Sequence, residues 1–387
     1  MSNFSSGGDP LLLSLARALV AQSSPWAHAP LERLKDKGLA HDHVRLCGTG
    51  LLARIPKQSQ MRLGAQDNLA YQSACFERAA AGGHAPQLQG VLPPCANLPR
   101  GALLVEEIVG HNAVLPNDLG SIVRALAAIH GLPLPDAIHR YPLINAQDPL
   151  KALLDEIADQ SQHVAAARLD APVSAAVMLE LNRLRSACQA PARPPRHLIA
   201  FDGHPGNFII RAGPVRTDQG VANDRGNDDG NYAANHEADP AGNAVLVDLE
   251  KCRYSYPGLD LAHATLYTST TWDIDSHAVL SLADILDAYQ TWAQCMPQRA
   301  AMAALAWHVP LRRAMWLWSI TWCAKWRVVS TSRSPVTPDG EDWSEARSDE
   351  ALIRHVRNRV DHYLSPAIVM QVREEFDQLD AALGCSA

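Results

Sequence analysis

Apolar and polar positions alternate with a period near two in the early part of the chain, then settle into helical spacing. Val44-Arg45-Leu46-Cys47 and Leu51-Leu52-Ala53-Arg54-Ile55 predict two short strands around the turn Gly48-Thr49-Gly50. Pro56 closes the second, because proline has no N–H to give a ladder. Residues 70–81 predict a helix ended by Gly82-Gly83, and residues 103–109 a buried strand stopped at Gly110. Beyond it the period changes. Leu119, Ile122, Val123, Leu126 and Ile129 recur at helical spacing behind an Asn117-Asp118 N-cap. Residues 152–187 and most windows after Asp260 are helical in the same way.

The organisation expected is therefore α+β and two-lobed. An N-terminal helical extension covers residues 1–30, a β-rich unit residues 31–109, and a larger helical unit residues 110–387. Residues 212–243 fit neither unit: 15 of these 32 are Gly, Asn or Asp, with no Leu, Ile, Phe, Met or Trp. Such a stretch cannot offset the entropy of ordering by burial, so it reads as a surface insertion. Strand-like segments flank it, Asn207-Phe208-Ile209-Ile210 before and Ala244-Val245-Leu246-Val247 after, which predicts a hairpin with a greatly extended tip.

Composition narrows the partners. Of 387 residues, 47% are hydrophobic, enough for a sizeable core, and a formal charge of −7 argues against a nucleic-acid binder. Residues 11–21 are the one stretch with the look of a signal-peptide core. They lack a basic flank, follow Asp9-Pro10 and contain Arg17, so an amphipathic helix is expected. No apolar run reaches the length of a membrane span, and no membrane partner is expected. The eight cysteines form no Cys-x-x-Cys pair, which favours reduced thiols and the cytoplasm. Oligomeric state is not legible.

The run Asp202-Gly203-His204-Pro205-Gly206-Asn207 carries the chemistry. Asp202 and Asn207 stand five apart, the spacing of a kinase catalytic-loop pair, in which the carboxylate orients a hydroxyl and the amide holds magnesium. Asp248 ends the strand after the insertion, with Glu250 two residues on; a hairpin across 212–243 brings Asn207 and Asp248 to one end of a sheet. One Asn and one Asp suffice for magnesium, which keeps much of its water. The bland reading is that Asp and Asn beside Gly and Pro form an ordinary turn. Asp248, Glu250 and Asp260 following in order weigh against it.

This run resembles the catalytic loop of the aminoglycoside phosphotransferase and choline kinase-like family. Val247-Asp248-Leu249-Glu250 resembles that family's metal-binding segment, and Gly258-Leu259-Asp260-Leu261-Ala262 the Asp-Leu-Ala after it. Leu126-Ala127-Ala128-Ile129-His130 resembles a helix following the hinge. The resemblance, from about Gly38 to Ala262, implies a protein-kinase-like fold with a small antiparallel-sheet N-lobe and a larger, mostly helical C-lobe. By position it implies Asp202 as catalytic carboxylate and Asn207 and Asp248 as magnesium ligands. It further implies Arg54 on the phosphates (with Lys57 as an alternative), Gly38 in the phosphate loop, and Glu106 to Ile108 as the adenine hinge. The implied activity is an ATP- and magnesium-dependent phosphotransferase acting on a small-molecule hydroxyl, aminoglycoside-like or amino-alcohol-like.

The sequence departs from that pattern in three places. Ala200 and Phe201 stand where the family has His and Gly, and His197 is too far upstream to replace the first. Gln72 falls where a helix Glu pairs with the strand cation, with Glu77 a turn later as the substitute, and no G-x-G-x-x-G is present. These departures would suit a nucleotide-binding pseudokinase scaffold. A protein kinase is a weaker reading, since no Ala-Pro-Glu follows Asp248. Asp260 reads as an anchor of the loop, and His204 as a loop residue. Trp316, Trp318, Trp322 and Trp326 read as core, and Trp272 as the better pocket candidate. The cations Arg312, Arg313, Lys325, Arg327 and Arg333 read by default as a solvated face.

Overall fold

A computed structural model describes residues 9–35, 38, 40–211, 244–273, 276–330 and 350–384. Two units follow in chain order. The first holds α1 (Pro10–Ala21), β1 (Leu31–Arg33), β2 (His41–Leu46), β3 (Leu51–Pro56), α2 (Ala65–Ala79), β4 (Leu88–Leu92) and β5 (Ala102–Glu106). Its five strands form an antiparallel sheet in the order β1-β2-β3-β5-β4.

Period-two alternation decides what each face of that sheet covers. On β5, Ala102 and Leu104 join Leu15, Ala18 and Leu19 of α1 in one core, whereas Leu103 and Val105 join Leu69, Cys75 and Phe76 of α2 in another. Asp9 caps α1 through its carboxylate, 2.9 Å from the Leu11 N–H, and Pro10 opens the helix. Burying Leu15 and Leu19 stabilises the packing by about 2 kcal/mol each. The amphipathic helix expected over 11–21 is thus a cover for the sheet.

β5 is shorter than the hydrophobic run predicts. The Glu107 N–H still bonds to the Gly50 carbonyl at 2.8 Å, one step further in the β3 register, and the chain leaves the ladder after it, where β3 gives way to its turn. It then enters β6 (Gly110–Asn112), which pairs with β8 (Phe208–Arg211), itself paired with β9 (Ala244–Leu246). A Cβ on Gly110 would stand 2.1 Å from the Ile210 carbonyl oxygen, so only glycine allows this pairing. The β8–β9 hairpin is the one expected across residues 212–243; those residues lie outside the described ones.

The second unit is mostly helical: α3 (Leu119–His130), α4 (Pro149–Ser161), α5 (Ala171–Gln189), α6 (Pro257–Thr265), α7 (Tyr267–Thr270), α8 (Leu282–Cys295), α9 (Gln298–Leu305), α10 (His308–Val329), α11 (Glu350–Tyr363) and α12 (Pro366–Ala382). A ribbon of β7 (His197–Ile199) and β10 (Arg253–Ser255) lies among them. α3 is the dividing wall. Leu119, Val123 and Ala127 face the large helical core, while Ile122, Ala125, Leu126 and Ile129 face the core shared with α2. The helix expected over 152–187 is broken in two, because Asp170-Ala171-Pro172 starts α5 afresh.

The basic stretch on α10 is not a solvated face. Arg312 is fully buried, with Glu375 at 2.7 Å and the Thr265 hydroxyl and carbonyl as partners. Lys325 is buried too, and Arg313 reaches Glu180, Asp377 and Asp380. Carboxylates on α5 and α12 and the Thr265 oxygens on α6 decide this, partners that lie far away in sequence. Arg333 lies outside the described residues.

Candidate active site

Three pairings bring the sequence motifs together. β7 pairs with β10 so that Ile199 faces Arg253, which sends the loops after Ile199 and before Arg253 out at the same end. The β8–β9 register sets Phe208 against Leu246, so Asn207 and Val247 come next, joined by a 2.9 Å bond from the Val247 N–H to the Asn207 carbonyl. A tight turn over Pro205–Asn207 then lets the Asn207 amide donate to the Asp202 carbonyl at 2.9 Å. That bond commits the Asn207 nitrogen and leaves its oxygen available to a ligand.

Asp202, Asn207 and Asp248 line one cleft of about 530 Å³. Gly38 and Arg54 line it from the sheet side, and Glu106 and Ile108 where the chain leaves β5. All seven residues singled out in the sequence therefore face one space. The Ile108 N–H has no partner among the described residues, as a hinge donor to a base requires. Lys57 is not on the cleft and lies 3.9 Å from Asp42.

Arg54 has an unexpected partner. Its guanidinium donates to Asp248 Oδ1 at 2.8 Å and to the Val247 carbonyl at 2.9 Å. α2 offers it the Phe76 ring, 5.4 Å away, and no carboxylate. Gln72 bonds instead to His41 Nε2 at 3.1 Å, and Glu77 points to solvent, so the substitute proposed for the missing helix Glu is ruled out. The cation of β3 reaches directly across the cleft to the carboxylate of the facing loop.

Electrostatics there are strongly polarised. Burial opposes ionisation of Asp248, yet Arg54, His41 and Lys251 together hold its carboxyl well below the usual range. Glu250 is pushed up to about 8 by burial and by the Asp248 charge, and His41 is pushed down to about 3 by burial and by Arg54. His41, Asp248 and Glu250 place one ligand atom each within 4.8 Å of one another. Asn207 and Asp248 face the cleft beside Asp202 and offer oxygens, a hard pair that fits magnesium.

The loop carrying Asp202 is held from below. Asp260 on α6 accepts the backbone N–H groups of Ala200 and Phe201, both at 2.7 Å, and faces His130 Nε2 at 3.0 Å. The second nitrogen of that ring accepts from the Trp292 indole at 3.0 Å, so all these buried polar groups are satisfied. Asp260 is thus the loop anchor expected of it.

The fold has solved relatives. A choline/ethanolamine kinase family protein from Mesorhizobium loti aligns with 95% of this chain and 99% of its own, at a TM-score of 0.53 and 16% identity. An ethanolamine kinase from Plasmodium vivax covers 97% and 92%, at 0.59 and 10%. An aminoglycoside 2'-phosphotransferase-IIIa, solved with GDP, covers 91% and 98%, at 0.55 and 14%. The chain has a kinase-like fold. No family model and no curated sequence matches it.

Within the kinase-like fold, sequence reasoning missed Lys251. Its ammonium lies 2.6 Å from Asp202 Oδ2 and 5.6 Å from the centre of the Trp318 ring, and it lines the cleft. Burial disfavours its charge, but Asp202 and Glu250 outweigh that and raise its pKa. Asp202 is lowered in turn: burial pushes up, and Lys251, His204 and His263 pull down further. The signal was present as the residue following Val247-Asp248-Leu249-Glu250, but nothing in the spacing says that it turns toward Asp202.

The tryptophans divide. Trp316 and Trp326 are core, as read, whereas Trp318 and Trp322 line the cleft with Trp272. Four-residue spacing had grouped Trp318, Trp322 and Trp326; the first two lie where α10 runs past the Asp202 loop, and only the last is enclosed. Trp272 meets Trp322 edge to face at 5.8 Å.

Proposed function

We propose that this protein is a phosphotransferase moving the γ-phosphoryl group of ATP to a hydroxyl of a small molecule, aminoglycoside-like or amino-alcohol-like. One observation carries the reading: Asp202, Asn207, Asp248 and Arg54 converge on a single cleft that also reaches the Glu106–Ile108 segment. The solved relatives with this fold include kinases of ethanolamine and of aminoglycosides. Their low identity leaves the acceptor to experiment.

In this mechanism Asp202, ionised beside Lys251, takes the proton of the acceptor hydroxyl. The acceptor oxygen forms its bond to the γ-phosphorus as the bond to the β-phosphate oxygen breaks, and ADP leaves. Asn207 and Asp248 would hold magnesium, which neutralises phosphate charge when bound. Arg54 donates to the phosphates once it lets go of Asp248, and the Ile108 N–H orients the base. The Trp272 side of the cleft is the acceptor end, where rings and the hydroxyls of Thr268 and Ser269 surround the alcohol.

Magnesium-dependent ADP release over aminoglycosides, choline, ethanolamine, homoserine and thiamine, with Asp202→Asn as control, tests this. Release with one acceptor, lost in the control, is the expected result. ATP binding with no release across the panel would instead favour a pseudokinase scaffold.

A further inference from the structure

We propose that Lys251 is a phosphate-binding catalytic residue, whose ammonium bridges Asp202 and the terminal phosphate of a nucleoside triphosphate and distinguishes triphosphate from diphosphate. The inference rests on the phosphotransferase reading and adds a residue to it.

Location comes first. Lys251 bonds to Asp202 at 2.6 Å and lines the same cleft as Asp248, whose charge also acts on it, so it sits beside the proposed proton acceptor and near the proposed metal ligand. Phosphoryl transfer takes place between those two groups. The ammonium lines the cleft although the residue is only 9% exposed.

Charge comes second. Lysine is among the residues least often buried, and a buried ion pair is a poor source of stability compared with an apolar one of the same volume. The cleft holds two such pairs, Arg54 on Asp248 at 2.8 Å and Lys251 on Asp202 at 2.6 Å. Each sets a cation where the substrate is strongly anionic. Arg54 reaches from the sheet and Lys251 from the opposite, helical side, so a triphosphate between them meets positive charge from both. The sequence supplies few glycine-loop amides to share that task, with Gly38 the lone glycine between the first two strands.

Donor count comes third. An ammonium has three N–H groups, and Asp202 takes one. The Trp318 face, 5.6 Å away, steadies the head group without using a hydrogen. The remaining donors meet the oxygens of a terminal phosphate while the first stays on Asp202. Lys251 keeps its proton throughout: no bond forms or breaks on it, and the acceptor proton goes to Asp202. It screens the repulsion between the Asp202 carboxylate and the incoming phosphate, which otherwise opposes in-line approach.

A residue that merely neutralised Asp202 would not sense the number of phosphates on the nucleotide. Calorimetric titration of the full chain with ADP and with the non-hydrolysable β,γ-imido analogue of ATP, both with magnesium, separates the cases and needs no acceptor. In Lys251→Met, affinity for the imido analogue should fall by about 10- to 100-fold, with ADP changed less than about threefold. Lys251→Arg should recover part of the loss, and it serves as the readable variant if the Met protein does not fold. Equal losses for both nucleotides, or none for either, overturn the proposal while leaving the phosphotransferase reading in place. Wild-type protein that binds neither nucleotide overturns both.

Discussion

The guanidinium carbon of Arg253 lies 3.7 Å from the centre of the Phe201 ring, directly under the residue that precedes Asp202. Phe201 has φ of +62°, a left-handed conformation that residues with a Cβ seldom adopt. Four contacts hold it there. The N–H is bound to Asp260 and the carbonyl lies 3.2 Å from His263 Nδ1. Its ring packs on Arg253 and meets Trp318 edge to face at 5.3 Å. A side chain in place of the expected glycine is therefore tolerated because its surroundings over-determine it.

Phe201 variants should separate strain from packing. Both Phe201→Ala and Phe201→Gly lose the ring, at about 3–5 kcal/mol for a buried phenylalanine before any relief of strain. Glycine alone also loses the left-handed penalty, so it should be more stable than alanine by about 1 kcal/mol, the reverse of the order at most ordered positions. Urea denaturation of the two proteins decides it. Alanine equal to or above glycine would mean the backbone is not strained at this residue.

Asp260 makes a larger claim on the same loop. Asp260→Ala orphans two buried N–H groups and removes the partner of His130, so a destabilisation of about 3–5 kcal/mol is expected. Turnover should fall as well, since Asp202 follows immediately after the freed backbone. Stability within 1 kcal/mol of wild type, about the worth of one ordinary hydrogen bond, would show that the loop is held by other means.

Much of this was legible because it depends on local order. Asp202, Asn207 and Asp248 are placed by a tight turn and a hairpin, and both are written in short spacings once residues 212–243 are set aside. The strands were legible through alternation, although β5 stops early because its partner β3 begins only at Leu51, the register mate of Glu106. What the sequence could not disclose are partners chosen in space. Gln72 looks like a lost ion pair, yet Arg54 has found Asp248 across the cleft and Gln72 serves His41. Lys251 looks like an ordinary lysine until β10 folds its loop back over Asp202. Arg312 looks like a surface cation, because Glu375 lies 63 residues away.

The Arg54–Asp248 pair gives a third prediction. Arg54→Met removes the cation proposed to meet the phosphates and leaves the half-buried Asp248 carboxylate without its closest counterion. ADP affinity should drop by at least about tenfold, the worth of one charge-assisted contact. Melting temperature should fall at neutral pH and recover partly in Arg54→Met/Asp248→Asn, which removes the stranded charge. Fluorescence titration and a thermal melt read the two effects. Unchanged ADP binding would send the phosphate cation elsewhere on the cleft.

A last prediction concerns acid stability. His308 opens α10 with its ring stacked on Tyr289, centroids 4.4 Å apart and planes 10° from parallel, and with Trp292 at its edge. It is 3% exposed, and its Nδ1 has no hydrogen-bond partner. Burial lowers its pKa from 6.5 to about 4. A histidine depressed on folding binds protons more readily when unfolded, so its contribution is whole above pH 6.5 and drains away as pH falls toward 4. Within that window the loss approaches about 1.4 kcal/mol per pH unit for this one group. His308→Phe keeps a flat ring against Tyr289 and removes the titration, so the fall in melting temperature between pH 7 and pH 4.5 should be smaller than in wild type. Since His41 and His263 are also depressed and stay in both proteins, the difference between the two curves isolates His308. Parallel curves across that range would mean that His308 charges as readily in the folded protein as in the unfolded chain.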